Sequence, residues 1–121
     1  MKRVLVVDDH AMTVELLTAR LEAMGLHVTP ASSGSEALAL IAGIKPDLVL
    51  LDVMMPEMDG FEVTRRLKAN LDTRHIPVVL LTALSSAEDE AQGREAGADG
   101  FLRKPFQKPE LKDLIAAMLG V

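Results

Sequence analysis

Residues 48–60, LVLLDVMMPEMDG, decide the fold. Four apolar residues, Leu48, Val49, Leu50 and Leu51, run into Asp52; after Val53, Met54 and Met55 the chain meets Pro56, Asp59 and Gly60. An apolar run of this length, with Pro46 before it and turn residues after it, reads as a strand covered on both faces, with Asp52 at its C-terminal lip. Aspartate is a poor strand former and expensive to bury alone, so its place there asks for a chemical reason.

Outward from this strand the pattern repeats. Arg3–Val7 is a β-branched apolar strand followed by Asp8, Asp9 and His10. A helical pattern then carries Val14, Leu17, Leu21 and Met24 and closes at Gly25. His27–Ala31 alternates as a second strand. Ser33 and Glu36 have the spacing of a capping box opening a helix through Ala37, Leu38, Ile41 and Ile44, which Pro46 should stop. Asp59 and Glu62 repeat that spacing ahead of a helix around residues 63–69. Residues 76–81 are a fourth strand ending at Thr82; Ser85 and Ser86 precede Glu88 and Asp89 as caps of a fourth helix ending near Ala96 and Gly97. Residues 99–102 read as a short fifth strand, followed by Arg103, Lys104 and Pro105. Pro109 suits the first turn of a last helix with Leu111, Leu114, Ile115, Met118 and Leu119 on its apolar face.

Apolar strands alternating with helices through short connections imply an α/β fold, a parallel sheet with helices on both faces. For five strands the flavodoxin-like doubly wound (βα)5 order 2-1-3-4-5 is expected, with ligands at the carboxyl ends of strands one and three. The chain has 121 residues, of which 49% are hydrophobic, and reads as a single domain over 1–121. A net charge of -5 argues against direct nucleic-acid binding, and aromatic content of 2% leaves no base-stacking platform. The absence of cysteine removes disulfides and thiolate metal sites and fits a reducing compartment. The basic start is followed by an apolar run that Asp8 and Asp9 halt, too short for a signal peptide or membrane span, so a cytoplasmic location is expected.

The polar residues collect at one edge: Asp8 and Asp9 after strand one, Asp52 after strand three, Thr82 after strand four, Lys104 beyond strand five. Carboxylates brought close together repel unless a cation joins them, and a hard cation such as Mg²⁺ takes carboxylate, water and phosphate oxygens. Zinc is disfavoured, with no Cys and with His10, His27 and His75 scattered. An aspartate beside Mg²⁺, a lysine and a hydroxyl is equipped to attack phosphorus and become an acyl phosphate. Taken singly, the Asp pair is more often a cap and solvated turn, Thr82 a turn or cap residue, Lys104 a surface lysine, and Met54 with Met55 loop packing; what points to function is that they fall together at four of five strand ends. His10 reads as a solvent-facing helix-start residue or a weak phosphate contact.

At these residues the sequence resembles the receiver domain of bacterial two-component response regulators, CheY-like proteins, over essentially the whole chain. The pieces that carry it are VLVVDD at 4–9, LLDVMMPEMDG at 50–60, VVLLTA at 78–83 and GADGFLRKPF at 97–106. The resemblance implies that Asp52 is the phosphoacceptor, receiving its phosphoryl group from a sensor histidine kinase, a phosphotransfer protein or acetyl phosphate. It implies that Asp9, Asp52 and the Met54 backbone carbonyl ligate Mg²⁺, with Asp8 acting through water. By the same carry-over Thr82, Lys104 and the backbone N–H groups of Met54 and Ala83 bind the phosphoryl group, and Lys104–Pro105 is a cis peptide. Thr82 and Phe101 form the switch, which remodels the surface of helix four, strand five and helix five. Phe101 lacks the hydroxyl of the common tyrosine, so packing alone must favour its inward position. Met54 and Leu84 tune the lifetime of the phosphoryl group; both are apolar and cannot position water, so slow self-dephosphorylation is expected. Many receivers dimerise on phosphorylation through helices four and five. The fourth helix is expected to be lightly held, on a buried side of Ala87, Ala91 and Ala96.

Three other readings stay open on sequence. A haloacid-dehalogenase-like phosphatase uses similar groups but wants its two strand-one aspartates separated by one residue, whereas Asp8 and Asp9 are adjacent. A fold kept only as an interaction module would lack an acidic residue. A nucleotide or flavin carrier would have a glycine-rich phosphate loop after strand one, which this chain lacks.

Overall fold

Strands and helices alternate strictly along the computed structural model, which describes residues 1–83 and 87–120. In chain order they are β1 (Arg3–Val7), α1 (Ala11–Ala23), β2 (His27–Ala31), α2 (Gly34–Ile44), β3 (Leu48–Asp52), α3 (Gly60–Ala69), β4 (Val78–Thr82), α4 (Ala87–Ala96), β5 (Gly100–Arg103) and α5 (Lys108–Leu119). All pairings are parallel, in the order β2-β1-β3-β4-β5. This is the doubly wound order expected from the sequence, with the switch point between β1 and β3.

Period-two alternation along the strands sorts the core into two layers. Leu5, Val7, Val49, Leu51, Val78 and Leu80 face Ala37, Ile41, Phe61, Val63, Leu67 and Ala96 of α2, α3 and α4. Val4, Val6, Leu48, Leu50, Val79 and Leu81 face Leu17, Leu21, Leu111 and Ile115 of α1 and α5. Every residue of β3 is buried, which is why its sequence is apolar throughout until the carboxylate.

The N-termini of α2 and α3 follow the spacing of their cap residues. The Ser33 hydroxyl accepts from Glu36 N–H at 3.1 Å, and the Asp59 carboxylate accepts from Glu62 N–H at 2.9 Å. The Glu36 carboxylate reaches the Ser32 N–H, one residue earlier than a reciprocal box would place it. The turn after α1 places Gly25 at φ 86°, where a side chain would be strained.

Several boundaries differ from the sequence reading. Lys45, at φ 50°, terminates α2 before Pro46 is reached. Ile76 lies outside β4: its N–H donates to the Thr73 carbonyl and its own carbonyl accepts from Lys68 Nζ at 2.7 Å, so the ladder begins at Val78. Lys68 Nζ also donates to Asp99 Oδ2 at 2.9 Å, and that oxygen accepts from Val78 N–H at 2.8 Å. Asp99 therefore ties α3 and β4 together, and β5 starts one residue later than expected. In α4 the buried residues are Gly93 and Ala96, while Ala87 and Ala91 are exposed: the helix rests on β4 and β5 through its second half. The caps expected at Ser85 and Ser86 lie outside the described residues.

Gly60 closes the loop after β3 at very short range. A Cβ there would stand 2.5 Å from the Asp52 carbonyl oxygen and 2.9 Å from Val53 Cα, both backbone atoms that cannot turn aside. Gly43, in contrast, has open space where its Cβ would be. Gly60→Ala is expected to destabilise the fold by roughly 1–3 kcal/mol through overpacking, whereas Gly43→Ala stabilises it by roughly 0.5–1 kcal/mol through helix propensity. Urea unfolding of the two variants checks the opposite signs.

Candidate functional site

The carboxyl ends of the strands bring four charged side chains together. Asp8 follows β1 and donates its N–H to Ala31 of β2 at 3.1 Å, which fixes its backbone against the sheet. Asp52 is the last residue of β3. Both carboxylates are buried, with 1% and 4% of their residue surface exposed. Lys104 follows β5, anchored by its N–H on the Thr82 carbonyl at 2.8 Å, and sends its ammonium back across the sheet. Its Nζ donates to Asp8 Oδ2 at 2.8 Å and to Asp52 Oδ1 at 3.2 Å. The Lys104–Pro105 peptide is cis.

Asp9 remains exposed, and His10 Nδ1 lies 3.2 Å from its carboxylate and 3.0 Å from that of Asp8. His10 is 67% exposed at its side chain, as a helix-start residue should be, yet it belongs to the acidic cluster. Its position directly after two aspartates, at the N-cap of α1, was the available signal. Ligand atoms from Asp8, Asp9, His10 and Asp52 all lie within 4.8 Å of one another.

The charges bias one another. Burial works against ionisation of Asp8, but the bonds from Lys104 and from the backbone and ring of His10 outweigh it and hold that carboxyl below its usual range. Burial, followed by the negative charge of Asp8, pushes the Asp52 carboxyl up despite the pull of Lys104. Burial alone would lower Lys104; its bond to Asp8 and the charge of Asp52 raise it instead, so it stays cationic. His10 is raised chiefly by its bond to Asp8. An oxygen-rich set of three carboxylates beside the half-buried Lys104 ammonium fits a hard divalent ion such as Mg²⁺.

Thr82, half-buried at the end of β4, lines a cavity of about 330 Å³ with Val53, Phe61, Phe101 and Arg103. Phe101 thus shares a space with Thr82, and its ring edge lies against α4: a Cβ on Gly93 would come within 2.6 Å of Phe101 Cε1. The Arg94 guanidinium stands 5.9 Å from the Phe101 ring centre and is held by Glu90 at 2.7 Å. Met54 is 63% exposed in the loop above Asp52, and Ala83 is exposed just past Thr82. Leu84 lies outside the described residues. Sequence reasoning did not single out Gly60, whose bare Cα lets the loop close under Asp52. Among the described residues no helix is long and apolar enough to cross a membrane.

The fold and this pocket define a doubly wound α/β protein that gathers acidic groups and one lysine at its switch point. The family described as response regulator receiver domain matches residues 4–116, and the chain belongs to that family. Response regulator PleD of Caulobacter vibrioides is 55% identical over 104 residues, 86% of this chain and 23% of PleD. The DNA-binding dual master transcriptional regulator RpaA of Synechocystis is 40% identical over 119 residues, 98% of this chain and 49% of RpaA. The chain thus spans half or less of these relatives. Vibrio cholerae chemotaxis protein CheY4 superposes with a TM-score of 0.94 at 33% identity, covering 98% of this chain and 99% of CheY4. The receiver domain of a signal transduction histidine kinase from Syntrophus aciditrophicus gives 0.92 at 38% identity, covering 99% and 91%.

The raised Asp52 carboxyl has a stability consequence. A carboxyl bound more tightly by protons in the folded state contributes stability that is present below its unfolded value and lost as pH rises through its folded one. Asp52→Asn is therefore expected to melt at a higher temperature than wild type at pH 7 in metal-free buffer. The gap should narrow near pH 4, and thermal scans in chelator at the two pH values measure it.

Proposed function

We propose that residues 1–121 form one receiver domain that accepts a phosphoryl group on Asp52 in a Mg²⁺-dependent reaction. The observation that carries this reading is the span of Lys104 Nζ, 2.8 Å from Asp8 and 3.2 Å from Asp52. One cation stands beside a buried carboxylate at the strand end where a phosphoryl group would have to sit.

Asp9, Asp52 and the Met54 backbone carbonyl would hold Mg²⁺, with Asp8 acting through water. The ion, when bound, neutralises charge on the phosphoryl oxygens. An Asp52 carboxylate oxygen attacks phosphorus, the bond from phosphorus to the donor breaks, and the donor leaves with the bonding pair. Lys104 exchanges its carboxylate contacts for a phosphoryl oxygen, while the Thr82 hydroxyl and the N–H groups of Met54 and Ala83 take others. Donors are a sensor histidine kinase, a phosphotransfer protein or acetyl phosphate. The domain assists its own phosphorylation and dephosphorylation, and its role is signalling rather than turnover of a substrate.

Switching runs through the cavity shared by Thr82 and Phe101. Movement of Thr82 toward the phosphoryl group opens room for the Phe101 ring, which then leaves Gly93 and changes the surface of α4, β5 and α5. That surface meets a target, a fused output domain or a second phosphorylated copy. The chain acts in the cytoplasm, without direct contact to nucleic acid or membrane.

Incubation with Mg²⁺ and acetyl phosphate, followed by intact mass measurement, should show one added phosphoryl group on wild type and none on Asp52→Asn. No Asp52-dependent adduct would sink the proposal. Lys104→Ala should slow the reaction by about a hundredfold, the loss typical of one charge-stabilising donor. Met54→Asn and Leu84→Glu bring polar groups able to position water and should shorten the lifetime of the adduct; equal decay rates would refute the timer role. Gel filtration with beryllofluoride reports whether activation drives dimerisation.

A further inference from the structure

One side chain has no part in that chemistry and still departs from ordinary packing. Arg20, on α1, has Nε and Nη1 buried without a hydrogen-bond partner, the only such side-chain atoms among the described residues. Arg20 is half-buried, yet two of its guanidinium nitrogens are shut off from water and unpaired, which costs stability relative to an apolar side chain of similar length, so its presence needs a reason other than stability. Its visible contact is with Phe106, whose ring centre lies 5.8 Å from the Arg20 guanidinium carbon.

Phe106 stands two residues beyond Lys104, in the segment between β5 and α5 that belongs to neither. The segment is pinned at one end by the Lys104 N–H on Thr82 and at the other by the Gln107 N–H on Glu110 Oε1 at 3.1 Å. Pro105 between them has no N–H to offer. The middle is held by the Phe106 ring, packed against the core layer shared by α1 and α5 and covered by Arg20. A cation over an aromatic face fixes that ring without consuming a backbone group.

We propose that Arg20 is a positioning residue: by clamping Phe106 it fixes the loop that aims Lys104 at Asp52. The proposal rests on Lys104 acting at the phosphoryl group. It assigns to α1 a role in the reaction through a residue that touches neither the donor nor the acceptor. A loop free to drift leaves the ammonium off its line to the phosphoryl oxygens, and the loss appears in the maximal rate more than in donor binding.

The test compares wild type, Arg20→Met, Arg20→Lys, Phe106→Leu and the Arg20→Met/Phe106→Leu pair. Each is melted, and Asp52 phosphorylation is followed over a range of acetyl phosphate concentrations. Arg20→Met should melt at or above the wild-type temperature yet phosphorylate about fivefold more slowly at saturation, the factor one cation–π contact supplies. Arg20→Lys, which keeps the cation, should recover most of the rate. Phe106→Leu should lose as much as Arg20→Met, and the pair should lose no more than either alone. The wild-type rate in Arg20→Met, or a loss that Arg20→Lys does not restore, overturns the proposal while leaving Asp52 as acceptor. Absence of any adduct on wild type removes the parent reading and this one with it.

Discussion

Two buried carboxylates at adjacent strand ends share one lysine, and much of the structure is arranged to make that arrangement tolerable. Asp8 and Asp52 each lose most of their hydration, and each repels the other. Lys104 offsets part of this at 2.8 and 3.2 Å, but one positive charge cannot neutralise three carboxylates. The remaining deficit of positive charge suits the pocket to a divalent cation. Rigid backbone keeps the deficit in place: β1 and β3 are buried on both faces and cannot splay to relieve it.

The two faces of the sheet are packed differently around the pocket. The layer of α1 and α5 packs long aliphatic side chains, Leu17, Leu21, Leu111 and Ile115, against the sheet. On the other face α4 offers only Gly93 and Ala96 as buried residues, with the Phe101 ring lying in the gap that Gly93 leaves. Thr82 and Phe101 border the same cavity on this face.

Strand order, the caps of α2 and α3, and the convergence of Asp8, Asp9, Asp52, Thr82 and Lys104 on one edge were legible because each follows from local pattern: apolar runs, cap spacing, and polar residues at their ends. What the pattern could not carry was long-range. The start of β4 depends on Lys68, eight residues upstream, reaching the Ile76 carbonyl, and the start of β5 on Asp99 accepting from both Lys68 and Val78. The buried side of α4 was misread because small residues occur all round that helix, and which of them is covered depends on where Phe101 and Leu80 project. His10 looked like a surface residue and is one; only the fold shows its ring against two carboxylates.

The Lys68–Asp99 tie has a mechanical consequence. It binds the turn after α4 to α3 and to the first residue of β4, at the end of the sheet opposite the pocket. Gly93 and Ala96, the buried residues of α4, both lie in its C-terminal half, close to that tie. The salt bridge and the buried half of α4 thus lie together at the end of the sheet away from Thr82, so what holds this helix by apolar packing is concentrated far from the pocket.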